Sequence, residues 1–100
     1  MTIDELRQRI NQLDEQLVEL LNERAHCALE IGKLKKTLGL EVYQPDREAD
    51  VLHHVRSHGQ QTGGPLEGDA IVRVFERIID EARRIERATA HTPAGDGEDR

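Results

Sequence analysis

The sequence predicts an all-α fold of three helices, the first so long that a second copy of the chain is needed to cover it. Three observations carry this reading. Apolar residues in the first 38 positions recur at an alternating three–four spacing, the heptad seam of a coiled coil. Aromatic residues are nearly absent, with one Phe, one Tyr and no Trp, so the core has to be aliphatic, and aliphatic cores suit helix-on-helix packing. Glycine and proline divide the remaining chain into two further helical stretches.

The seam runs through Ile3, Leu6, Ile10, Leu13, Leu17 and Leu20, then Cys27, Ile31, Leu34 and Leu38, with no proline and no glycine before Gly32. Gly39 stands where a glycine beyond the last turn would close the helix. A helix of this length spans roughly 50 Å, whereas a compact domain of 100 residues has a radius of gyration of about 13 Å. Its seam therefore cannot be buried by its own chain, and a homodimer is expected. The second helix is expected from Pro45, a good first-turn residue, through Val51, Leu52 and Val55 to about His58, with Gly59 ending it and Gln60–Gly64 forming a loop. The third starts between Pro65 and Asp69 and carries Ile71, Val74, Phe75, Ile78, Ile79, Ala82 and Ile85 as a one-sided stripe. These helices define one domain over residues 1–90. Residues 91–100 are too polar to pack and are expected to be a disordered tail.

The formal net charge of −6 argues against a nucleic-acid binder, which gains affinity by releasing phosphate counterions. A local cationic pocket remains compatible with an acidic chain, because placement shapes the field. Cys27 is the only cysteine, so no disulfide framework is expected. His54 and His58 have metal-like i, i+4 spacing, but two histidines without a third ligand make a weak site, and they read as a solvated face. No apolar run approaches membrane-spanning length. The opening residues lack the basic and apolar segments of a secretory leader. The expected setting is the reducing cytoplasm.

A few residues break these patterns. Arg24 fills the one seam slot where an apolar residue was due. A guanidinium there must either pair with a nearby Glu and set register, or face a polar cavity. Lys35 follows 11 positions later, close to three full turns, so it shares a face with Arg24 at roughly 16 Å along the axis. Arg7 is about 25 Å from Arg24 on the same helix and can meet the same small ligand only from an antiparallel partner; alone, it reads as a solvated flank. Gln44-Pro45-Asp46-Arg47-Glu48 concentrates charge in one first turn. Capping and the helix dipole account for Asp46 and Glu48 but not for Arg47. Glu86 extends the apolar stripe of the third helix, four residues beyond Ala82.

Leu6-Arg7, the seam from Ile10 to Asp14, Leu20-Leu21-Asn22-Glu23-Arg24, Ile31-Gly32 with Lys35, and Val42-Tyr43 with Pro45, Arg47 and Glu48 together resemble the all-helical (type II) chorismate mutases over about residues 3–88. The resemblance implies an intertwined six-helix homodimer with two equivalent sites, no cofactor and no metal, converting chorismate to prephenate in aromatic amino-acid biosynthesis. It implies that Arg24 and the partner's Arg7 grip the two substrate carboxylates, and that Lys35 contacts a carboxylate and the ether oxygen. Glu48 would bind the ring hydroxyl with Arg47 beside it. Gln44 stands where the family often has Asp, Ala82 where it often has Ser, and Glu86 where many members have Gln. The rearrangement needs no covalent intermediate, so catalysis would come from conformational restraint and from donors preorganised at the ether oxygen. To donate there, Glu86 has to be protonated, since an ionised carboxylate only accepts. Three rivals keep the fold and change the role: an isochorismate pyruvate lyase, a chorismate- or prephenate-sensing module for a partner enzyme, and a coiled-coil adaptor.

Overall fold

The computed structural model describes residues 1–90, and within them the chain forms three helices: α1 over Ile3–Leu38, α2 over Pro45–Thr62 and α3 over Gly68–Ala90. The expected tail over 91–100 lies outside the described residues.

Helix α1 begins on a reciprocal capping box. The Glu5 amide donates to Thr2 Oγ1 at 3.1 Å, and the Thr2 amide donates to Glu5 Oε1 at 2.9 Å. At the other end Gly39 adopts a left-handed φ of 72°. The Leu40 amide reaches back to the Lys35 carbonyl at 2.8 Å, and the Gly39 amide to that of Lys36, the paired closure that a left-handed residue allows. The chain thus turns sharply after Leu38 and brings the 40–44 linker back toward the end of α1.

Helix α2 starts at Pro45, as expected, but ends four residues later than the sequence suggests. It runs through Gly59 to Thr62 and closes on Gly63, whose φ is 66°. Gly59 is buried inside the helix and serves packing instead of termination. A Cβ there would lie 2.9 Å from Ile71 Cγ1, so its missing side chain is what lets α2 and α3 approach. Gly32 does the same for α1, where a Cβ would meet Glu86 Cα at 3.1 Å.

Helix α3 contacts both α1 and α2, which do not contact each other. The result is a single layer of helices measuring 56 × 33 × 14 Å, with a radius of gyration of 17.3 Å. The long dimension is the length of α1 itself, and the short one is little more than a helix diameter of about 10–12 Å. Only Ala28 and Ile79 are buried apolar side chains among the described residues. The α1 seam remains open within one chain, from 39% exposure at Leu13 to 66% at Ile3 and Leu38. Contiguous apolar stripes of this extent mark an interaction surface.

Candidate active site

Because α1 and α2 stand apart on α3, a cleft of about 420 Å³ opens between them. Helix α1 contributes Arg24, Cys27, Ala28, Ile31 and Lys35; the linker and α2 contribute Val42, Gln44, Arg47, Glu48 and Val51; α3 contributes Ile79, Ala82, Arg83 and Glu86. The walls are aliphatic and the ends are charged. Four cationic side chains and two carboxylates face it, a local excess of positive charge in a chain whose net charge is −6.

Lys35 sits at one end. Its Nζ donates to Glu86 Oε1 at 2.6 Å and to the Val42 carbonyl at 2.9 Å. Both side chains of the Lys35–Glu86 pair are largely buried. The close approach at Gly32 sets this geometry, since it fixes α1 against the Glu86 backbone, and the turn at Gly39 delivers the Val42 carbonyl. Charge-assisted bonds of this length are strong and directional.

Glu48 sits on the α2 side. Its Oε2 accepts from Arg83 Nε at 3.1 Å and its Oε1 from Arg83 Nη2 at 2.5 Å, a two-point guanidinium–carboxylate pair. Arg83 also reaches Asp80 Oδ1 at 3.4 Å and lies 5.2 Å from the centroid of the Tyr43 ring. Hydrogen bonding to Glu48 raises the Arg83 pKa above the ordinary guanidinium value, outweighing the partial burial that lowers it.

Arg24 and Arg47 both line the cleft, and among the described residues neither makes an ion pair or a side-chain hydrogen bond. The half-buried Arg24 therefore does not pair with a neighbouring Glu; it faces the cavity. Gln44 occupies the N-cap position of α2 without bonding the helix amides, and its side chain lines the cleft.

Of the residues singled out in the sequence, Arg24, Lys35, Gln44, Arg47, Glu48, Ala82 and Glu86 come together around this one cavity. Arg7 does not: it is exposed on the part of α1 that extends beyond the layer. His54 and His58 are exposed on α2 with their rings stacked at 6.4 Å, outside the cleft. Arg83 is the cleft residue that sequence reasoning missed. Its position between Ala82 and Glu86 on α3 was the available signal, but the neighbouring Arg84 gives the pair the look of a solvated edge.

An all-helical layer with an open apolar stripe and a cation-rich cleft defines a protein that binds a small anion. The model of the chorismate mutase type II family matches residues 6–87, and the chain belongs to that family. Among characterised relatives, the bifunctional chorismate mutase/prephenate dehydratase of Pseudomonas aeruginosa is 40% identical over 87 residues, covering 82% of this chain and 23% of that protein. The protein of the same name from Aquifex aeolicus is 33% identical over 86 residues, covering 85% and 24%. The chain thus spans about a quarter of the length of these relatives. A solved structure, the form II chorismate mutase of Thermus thermophilus, superposes with a TM-score of 0.80 at 29% identity, covering 85% of this chain and 93% of that one.

Proposed function

We propose that this chain is a chorismate mutase, an isomerase that rearranges chorismate to prephenate without a cofactor and acts in the cytoplasm as a homodimer. The observation that carries the proposal is the half-buried Arg24, unpaired among the described residues and facing the same cavity as Lys35. An unpaired guanidinium on an apolar helix face is costly unless a ligand anion completes it. The four cations and two carboxylates of the cleft leave two positive charges, which suits a dianionic substrate.

In this reading Arg24, joined by the partner's Arg7, holds the substrate carboxylates and restrains the enolpyruvyl arm over the ring. Lys35 exchanges its bond to Glu86 for one to the ether oxygen, where negative charge grows as the carbon–oxygen bond stretches. A preformed ammonium there favours the transition state over the ground state. Glu86, once protonated, supplies a second donor to the same oxygen. Glu48 accepts from the ring hydroxyl, with Gln44 and Arg47 flanking it. Ala82 offers no hydroxyl, so this site makes one polar contact fewer than a serine there would provide.

The open α1 seam supports the dimer, and Arg7, about 25 Å from Arg24 along one helix, can enter a site only across it. The names of the relatives join mutase and dehydratase activities in one protein, which supports an enzyme consuming prephenate as the functional partner. The decisive test follows the disappearance of chorismate with the wild type and with Arg24→Ala. Wild-type turnover and a loss of at least a hundredfold (about 2.7 kcal/mol) in the variant, with little change in folding, are expected. Turnover of isochorismate instead, or turnover only after adding a partner enzyme, would replace this reading with the lyase or the sensor.

A further inference from the structure

We infer that Arg83 is a positioning residue that sets the hydroxyl-binding end of the cleft by clamping the carboxylate of Glu48; the inference rests on the function proposed above. Glu48 projects from the first turn of α2, the least constrained part of that helix, since no side-chain cap secures Gln44. A glutamate side chain there has three rotatable bonds, and the helix alone does not choose its direction. Arg83 does choose. Its Nε and Nη2 bind the two carboxylate oxygens separately, at 3.1 and 2.5 Å, and a planar fork meeting a planar carboxylate permits one orientation.

The guanidinium is itself held from two further sides. Nη1 bonds Asp80 one turn earlier on α3, and the Tyr43 ring lies 5.2 Å away from the linker side. Arg83 therefore ties together α3, the 40–44 linker and α2, the elements around this end of the cleft. Both Arg83 and Glu48 side chains are 23% exposed, so the pair is sheltered without being sealed off. With its donors directed to Glu48, Arg83 acts through that carboxylate, whose remaining lone pairs can still accept from a substrate hydroxyl.

The ring hydroxyl is remote from the bond that breaks, so its contact is alike in ground and transition states. Losing it raises KM and leaves kcat largely alone. The experiment measures chorismate turnover by the wild type, Arg83→Gln, Arg83→Lys, Glu48→Ala and the Arg83→Gln/Glu48→Ala double variant, each corrected for its folded fraction. Arg83→Gln is expected to raise KM about tenfold with kcat within about twofold, and Arg83→Lys, which keeps the charge but not the fork, should fall between. The double variant should be no worse than Glu48→Ala alone, because Arg83 has nothing to position once the carboxylate is gone. A merely structural role would lower thermal stability while leaving KM unmoved and would not vanish in the Glu48→Ala background. An unchanged KM in Arg83→Gln, or losses that multiply in the double variant, would overturn the inference. Absence of wild-type turnover would instead remove the parent reading, and the inference with it.

Discussion

Replacing Gly32 by alanine tests whether the spacing of α1 and α3 governs both stability and the site. The added methyl would lie 3.1 Å from Glu86 Cα, 3.2 Å from Thr89 Cβ and 3.4 Å from the Glu86 carbonyl oxygen. Two of these are backbone atoms of a helix, so no side chain can rotate away. The helices must separate by a few tenths of an ångström to restore ordinary contact at about 3.4–4 Å. Alanine gains roughly 1 kcal/mol of helix propensity over glycine, while overpacking costs roughly 1–3 kcal/mol. The net destabilisation is therefore modest, about 0–2 kcal/mol.

The functional cost is proportionately larger, because the atom displaced carries the Glu86 side chain, 2.6 Å from Lys35. A misplacement of about 1 Å costs roughly a hundredfold in rate, so a third of that corresponds to a loss in kcat/KM of about three- to tenfold. Gly63→Ala is the control. Gly63 has a φ of 66° and no atom within 4 Å of its would-be Cβ, so it should cost about 1 kcal/mol through backbone strain with no change in kcat/KM. Urea unfolding and initial-rate chorismate assays read the two quantities separately. A Gly32→Ala protein as stable as the wild type, with unchanged kcat/KM, would refute the view that this contact sets the geometry of the site.

Shared sites predict that Arg7→Ala and Arg24→Ala chains, each inactive alone, regain about a quarter of wild-type activity when refolded as an equimolar mixture, since half the dimers are mixed and each holds one intact site. If both arginines served the same chain, the mixture would stay inactive. Turnover is expected to decline as pH rises through the ionisation of Glu86 in the loaded site, and Glu86→Gln should stay active with that dependence gone; a flat wild-type profile from about pH 5 to 9 would remove Glu86 as a donor. Glu5 has a pKa lowered by its bonds to the Thr2 amide and hydroxyl. A carboxylate with a depressed folded-state pKa stabilises above its unfolded value and loses that contribution as pH falls through the folded one. The start of α1 should therefore loosen toward the acid side of the carboxylate range. Thr2→Ala should cost about 1 kcal/mol and move the Glu5 titration, followed by carbon NMR, back up.

Much of this protein was legible in the sequence because it is governed by spacing along one helix. The seam, the closing Gly39 and the shared face of Arg24 and Lys35 all follow from the helical repeat, and so did the need for a second chain, since a 36-residue helix outruns a small domain. The Gln44–Glu48 turn was visible for the same reason: charge dense enough to exceed what capping requires. Thr2 and Glu5 formed a readable capping box as well, and the emphasis on the apolar seam passed over it.

What the tertiary structure decided concerns residues whose partners lie on other helices. Lys35 meets Glu86 across 51 positions, and Glu48 meets Arg83 across 35. Neither pairing is implied by periodicity, because it depends on where the helices cross and how closely. Gly32 and Gly59 determine that approach, and in sequence each looks like an interruption; only the neighbouring helix reveals that a missing Cβ is a contact. Sequence determined the helices, the need for a partner chain and the charged residues that face one cavity. The crossing of α3 over α1 and α2 decided which charges meet there, because a helix repeat constrains residues a few turns apart and leaves the distances between helices to packing.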